Sequence, residues 1–218
     1  MQSPEITQQL DGFFSQYQAF SFKTDDMVLR VGEEVQMVYY LKSGIIRQSV
    51  ISTQGQEVAI TFYKPGAFFP LIWAVKSTPV PYDFRAMTNG YGWKAPKADV
   101  VEFLKNSNDV LFDLTLRLLS GLEGMSRKVE FALQTTAYLR VAEAVLTLAY
   151  RFGNGAREDV QLDLVLTHQE LANITGLTRE TVSRELKVLR DEGVIVAQQQ
   201  HFMVPTLGKL ESIVSLGE

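Results

Sequence analysis

The stretch Thr167 to Val188, THQELANITGLTRETVSRELKV, decides the fold. Thr167 followed by Glu170 has capping-box spacing, in which the threonine oxygen takes the amide of the third helical residue, so a helix is predicted to begin at His168. Leu171, Ala172 and Ile174 are expected to face inward. Gly176 ends that helix, because a residue without Cβ enters the left-handed region without strain, and Ala172 is small enough for a second helix to cross closely. Thr178 caps the second helix, in which Val182, Leu186 and Leu189 at i, i+4 and i+7 form the buried face. At about 100° per residue from Val182, the residues Ser183, Lys187, Glu180 and Arg184 fall at about 100°, 140°, 160° and 200°, on the solvent side. Arg179 belongs to the first turn, where a long side chain projects past the helix end.

That outward set suits a major groove. Arginine bonds guanine O6 and N7 in bidentate fashion, and glutamate accepts from cytosine N4. Arg179, Glu180, Ser183 and Arg184 are the candidate base contacts. Thr167, His168, Gln169, Thr178 and Lys187, with the open amides of both helix N-termini, are the candidate phosphate contacts. A surface helix with solvated charges is the competing reading. The cap, the small residue, the turn glycine and the three-point buried face occur together, and together they favour a helix-turn-helix that binds double-stranded DNA. Beyond it, Gly193 precedes VIVA, a polar run and HFMV, the pattern of a two-stranded wing. Gln198, Gln199, Gln200 and His201 sit at its tip, either against the DNA backbone or as a solvated turn. Pro205 to Ser215 reads as a short terminal helix.

Upstream, a helix over about Ala137 to Phe152 carries Val141, Val145, Leu148 and Ala149 on one face and stops at Gly153-Asn154-Gly155. Before it, from about Asn108 to Gln134, Leu111, Thr115, Leu118, Leu122, Met125, Val129 and Ala132 repeat at alternating spacings of four and three, a seam suited to a partner helix. At ~1.5 Å per residue that helix is roughly 40 Å long, a spine for a homodimer. Packing on its own roll is the alternative. Gly121 and Gly124 mark a close approach or a flexible point. The domain junction is expected at Thr135-Thr136. Earlier still, MVLRV, VQMVYYL, IIRQSVI and EVAITFY are short β-rich runs between turns at Gly32, Gly44, Gly55 and Gly66, a small roll or barrel, with further strands in PVPYDFRAM and YGWK.

Composition sets the exclusions. The chain has 218 residues, 46% hydrophobic and 21% charged, an ordinary globular balance. It has no cysteine, which removes disulfides, thiolate catalysis, iron-sulfur clusters and cysteine zinc sites. His168 and His201 are its two imidazoles. His168 near Glu170 suggests metal or acid-base chemistry, but its helix-start position fits phosphate contact or solvent exposure better. No phosphate-cradling glycine loop is present, and we expect no enzyme, no cofactor and no metal. MQSPEITQQLDGFF lacks a basic segment followed by an apolar core, and no long apolar run follows, so a cytoplasmic protein without membrane contact is expected. Net charge is −4, and from Ala137 onward 8 Lys and Arg face 11 Asp and Glu. DNA binding must then depend on where charge is placed.

Over essentially its whole length the chain resembles the cyclic-AMP receptor protein/fumarate-nitrate regulator (CRP/FNR) family. MVLRVGEE, VYYLKSGIIRQ and GQEVAITFYKPGAFF resemble that family's β-roll, and GLTRETVSRELKVL its recognition helix. The resemblance implies an α+β chain: a cupin-like, cyclic-nucleotide-binding-like β-roll over 1–107, a dimerisation helix over 108–135 and a winged helix-turn-helix over 136–218. It also implies base contacts from Arg179, Glu180 and Arg184, a half-site with a TGA core, and RNA polymerase as a partner. Ser183 before Arg184 is similar to the FNR branch, Arg179 before Glu180 to the cyclic-AMP branch. The family's cyclic-nucleotide cassette needs a Gly-Glu-Leu-like turn and an Arg-Ser or Arg-Thr pair. Here Pro70 and Leu71 replace the glycine and glutamate, and the arginine pair falls among Val80, Pro81 and Tyr82. Arg85 lies at a position resembling a framework strand. An effector of another kind, or none, is therefore expected; a candidate pocket comprises Phe68, Phe69, Leu71, Trp73, Tyr82 and Arg85, and these aromatics also read as plain core. Two rival functions stand beside this one: a cyclic-nucleotide-activated regulator with an atypical cassette, and a sensor that binds protein partners without DNA.

Overall fold

The computed structural model describes residues 3–53, 55–134, 136–162, 166–198 and 201–215, with the backbone alone for 127, 128, 130–134, 197, 198 and 201. In chain order the elements are α1 (Pro4–Phe14), β1 (Gln18–Phe22), β2 (Met27–Leu29), β3 (Met37–Ser43), β4 (Ile46–Ile51), β5 (Glu57–Tyr63) and β6 (Phe68–Phe69). Next come α2 (Leu71–Lys76), β7 (Asp83–Ala86), β8 (Gly90–Pro96), α3 (Lys97–Asn106), α4 (Asn108–Gln134) and α5 (Ala137–Phe152). The chain finishes with β9 (Glu158–Gln161), α6 (His168–Thr175), α7 (Arg179–Asp191), β10 (Val196–Gln198), β11 (His201–Thr206) and α8 (Leu207–Ser215). Two compact units result, Met1–Ile51 with Ala59–Gly124, and Ser52–Val58 with Met125–Glu218.

In the first unit two four-stranded antiparallel sheets, ordered β1-β8-β3-β6 and β2-β7-β4-β5, form the roll that the β-rich runs led us to expect. Alternation sets what each strand buries. On β7, Phe84 and Ala86 are buried and pair in register with Gln48 and Ile46 of β4. Gly92 belongs to the middle of the other sheet because a Cβ there would stand 2.0 Å from the Tyr40 carbonyl oxygen. The interior is aromatic: the fully buried Phe69 ring lies 5.5 Å from Tyr39, 5.0 Å from Tyr63 and 5.4 Å from Phe84.

Three helices of this unit were absent from the sequence reading. Helix α1 opens on Ser3, whose side chain accepts from the Ile6 amide, with Pro4 in the first turn, and buries Ile6, Leu10 and Phe14 at i, i+4 and i+8. It is fastened to β3 by Lys42, whose ammonium reaches both Asp11 carboxylate oxygens at 2.8 and 2.7 Å. Helices α2 and α3 flank the sheets, and neither has a capping side chain. Helix α4 turns Val110 and Leu114 to the roll core, and Arg117 lies 5.2 Å over the Phe68 ring and donates to the Gly66 carbonyl at 3.1 Å.

In the second unit α5 packs against α6, α7 and α8. Its buried residues include Val141, Val145, Leu148 and Ala149, the face its spacing predicts. The wing has three strands, ordered β10-β11-β9, rather than two. Strand β9 contributes one buried residue, Val160, and pairs it with Val204; so little apolar content left it unread. Gln199 and Gln200 lie outside the described residues, as do the side chains of Gln198 and His201.

Removing the Phe69 ring empties the middle of the aromatic cluster, so Phe69→Ala is expected to cost about 3–5 kcal/mol. Urea denaturation would record this as a lower midpoint with an unchanged slope.

Candidate nucleic-acid interface

Helices α6 and α7 are shaped by two threonine caps and one glycine. Thr167 Oγ1 accepts from the Glu170 amide at 3.0 Å, and Thr178 Oγ1 accepts from the Thr181 amide at 3.2 Å. Gly176 takes φ 67 and ψ 25 between them, a left-handed conformation that costs a non-glycine residue about 1 kcal/mol or more. Helix α7 buries Val182, Leu186 and Leu189. Helix α6 buries Leu171, Ala172 and Asn173, whereas Ile174, expected inward, is half-buried. Asn173 tolerates burial because its amide oxygen accepts from Gln169 Nε2 at 2.9 Å.

Both helices are pinned at their C-terminal ends from the first turn of α5. Arg140 Nη2 donates to the Thr175 carbonyl, placing a cation at the negative end of α6. Tyr138 donates from its hydroxyl to Glu192 Oε2 at 2.5 Å, at the end of α7, where Lys209 also donates to the Glu192 carbonyl. Burial first, then the Glu192 hydrogen bond and charge, with Glu185 adding, push the Tyr138 hydroxyl up from 10.0 to about 12.

With the hydrophobic stripe turned in, the proposed base-reading residues turn out. Arg179, Glu180 and Arg184 are exposed, and Arg184 donates through Nε to Glu185 Oε1 at 3.0 Å. Ser183 is half-buried and shares a 2.7 Å hydrogen bond with His168 Nδ1. Of the proposed phosphate contacts, Thr167, His168, Gln169, Thr178 and Lys187 are all exposed, the first three at the start of α6 and Thr178 at the start of α7. The His168–Ser183 link carries no sequence signature, since fifteen residues separate the pair.

The residues of the expected helix seam lie outward. Leu111, Leu118, Leu122, Met125 and Val129 are 42–63% exposed and Thr115 is exposed, its hydroxyl donating to the Leu111 carbonyl at 2.8 Å; the Ala132 side chain lies outside the described residues. Phe112, Leu116 and Leu119 are exposed as well and widen the apolar strip beyond the predicted line.

In the roll, the proposed effector residues divide. Trp73 meets Tyr82 edge-on at 5.5 Å and Phe84 at 6.2 Å, beside the cluster that holds Phe69; Leu71 is half-buried against the same core. Phe68, on the opposite face of β6, packs on Phe14 and Arg117. Arg85 donates to the Asp25 carbonyl at 2.9 Å. The sequence reading missed Gln48, buried on β4, whose amide oxygen accepts from the Tyr63 hydroxyl at 2.8 Å. Among the described residues, no group of three or more His, Asp or Glu could hold a metal ion, and no helix is long and apolar enough to cross a membrane.

Comparison with known proteins agrees with this architecture. Residues 19–107 match the cyclic nucleotide-binding domain and residues 139–213 the Crp-like helix-turn-helix domain. The chain is 28% identical over 181 residues to the global nitrogen regulator of Synechocystis sp., covering 80% of this chain and 79% of that one. It is 23% identical over 210 residues to the cAMP-activated global transcriptional regulator CRP of Pasteurella multocida, covering 93% and 97%. Among solved structures, FixK2 from Bradyrhizobium japonicum superposes with a TM-score of 0.76 at 20% identity over 90% of this chain and 96% of that one. The c-di-GMP responsive regulator CLP of Xanthomonas campestris gives 0.76 at 18% over 90% and 98%. The fold and helix-turn-helix thus define a DNA-binding transcription regulator. The chain belongs to the CRP/FNR family.

The raised Tyr138 pKa predicts how the second unit responds to alkali. A folded-state pKa above the unfolded one favours the folded state fully below pH 10, and that advantage is lost as pH rises through about 12. The stability difference between wild type and Tyr138→Phe, followed by thermal melting, is therefore expected to shrink across this window.

Proposed function

We propose that two copies, paired along α4, place two α7 helices in successive major grooves of a palindromic operator. The observation that carries this reading is the sidedness of α7: Val182, Leu186 and Leu189 are buried, and Arg179, Glu180 and Arg184 are exposed. In this arrangement Arg184 and Arg179 bond guanine edges, Glu180 accepts from cytosine, and Ser183 meets a neighbouring base. Thr167, His168, Gln169, Thr178 and Lys187 hold the phosphates, and the two helix N-termini add the partial positive charge that an acidic chain otherwise lacks. The division of labour is sensor over 1–107, spine over 108–135 and reader over 136–218. The protein works in the cytoplasm, with RNA polymerase as partner.

The sensor responds to something other than a conventionally held cyclic nucleotide, or to no small molecule. Pro70 and Leu71 offer no carboxylate for a ribose, Val80, Pro81 and Tyr82 no cation for a cyclic phosphate, and the Arg85 guanidinium is engaged with Asp25. The match of residues 19–107 to the cyclic nucleotide-binding domain favours the second reading, an atypical cassette. Calorimetric titration with cyclic nucleotides separates the two, and submicromolar binding would establish the second.

A pooled-oligonucleotide selection without added ligand is expected to return a palindrome with half-site centres about one helical turn, roughly 34 Å, apart. Arg184→Ala is expected to relax one position of each half-site, at a cost of about 1–3 kcal/mol; full retention of specificity would refute the assignment. Leu118→Glu puts a charge in the apolar strip, and sedimentation should show a monomer that binds the operator at least tenfold more weakly.

A further inference from the structure

The bond between His168 Nδ1 and Ser183 Oγ, 2.7 Å, joins a proposed phosphate contact to a proposed base contact. His168 is the first residue of α6 and is exposed, while Ser183 is half-buried on the fifth position of α7. A helical serine commonly turns its hydroxyl to the carbonyl four residues earlier. Here the hydroxyl goes instead to a ring nitrogen of the neighbouring helix. The two nitrogens of a neutral imidazole have opposite roles, and the bond made by one fixes the role of the other.

We propose that His168 is a positioning residue that sets the hydrogen-bond polarity of Ser183 and thereby its base preference, an inference that rests on the DNA-reading assignment of α7. In the neutral ring, when Nε2–H is given to a DNA phosphate, Nδ1 carries no proton and takes the Ser183 O–H. Ser183 Oγ then keeps only lone pairs for the groove. It selects an edge that donates, adenine N6–H or cytosine N4–H, over one that accepts, guanine O6 or thymine O4. A backbone contact, ordinarily blind to sequence, is in this way converted into a choice of base.

The two nitrogens can be tested apart. Glutamine places its amide near the outer nitrogen's reach and loses the inner one; asparagine does the reverse. Binding of wild type, His168→Gln, His168→Asn, Ser183→Ala and Arg184→Ala would be measured on the selected operator with each of the four base pairs at the position Ser183 faces, over a range of salt. Wild type is expected to prefer a donating base there by about three- to tenfold, one hydrogen bond's worth. Ser183→Ala and His168→Gln should both flatten that preference. His168→Asn should keep it while weakening all duplexes together and leaving the salt slope unchanged, because a neutral ring neutralises no phosphate. A wild-type preference for an accepting edge, or a wild-type preference retained in His168→Gln, overturns the relay alone. If Arg184→Ala also leaves the selection of operator over random duplex unchanged, the reading of α7 as the DNA-contacting helix fails, and the relay with it.

Discussion

Burial of Val182, Leu186 and Leu189 against α5 and α6 is the constraint from which the reader follows. Each such side chain removed from water contributes about 1.5–3 kcal/mol, more than the solvated charges of α7 can oppose. Once that stripe is turned in, helical geometry leaves Arg179, Glu180, Arg184 and Lys187 no position but the outer side. The ends are fixed by polar contacts: threonine caps at both N-termini, and Arg140 and Tyr138, two residues apart on α5, at the C-terminal ends of α6 and α7. A base-reading surface needs this rigidity, since side chains on a helix that rocks cannot hold bidentate geometry.

The reader was legible in sequence because its determinants are local. Caps, a turn glycine and a repeat of three and four all fall within twenty-three residues, and each is specific to one conformation. Where the signals were weaker, the reading stopped short. Helix α2, LIWAVK, is six residues with no capping side chain, too short for helical period to separate from a buried strand. Helix α1 did carry its signal, Ser3 before Pro4 and apolar residues every fourth place. Its burial depends on roll residues far away in sequence, which no local pattern specifies. Asn173 is buried where Ile174 was expected because a hydrogen bond from Gln169 satisfies its amide oxygen, a contact that periodicity does not weigh.

The roll is held together by its aromatic interior. The aromatics near the family's cassette pack on one another: Trp73 on Tyr82 and Phe84, Phe84 on Phe69 and Tyr63. Such packing stabilises the sheets through area and ring geometry. Gln48 and Tyr63 place a polar pair within the same core. The net charge of −4 gives no general attraction for DNA, so the proposed interface depends on short-range donors at two helix starts and a few arginines.

In the proposed complex the outer face of α7 reads base edges in pairs related by symmetry. A crystal structure of the protein on its selected operator tests this most directly. We expect two copies joined through α4, each with Arg184 and Glu180 at hydrogen-bonding distance from base edges in the major groove. A complex in which α7 lies away from the groove, or in which a single copy occupies the operator, would contradict it.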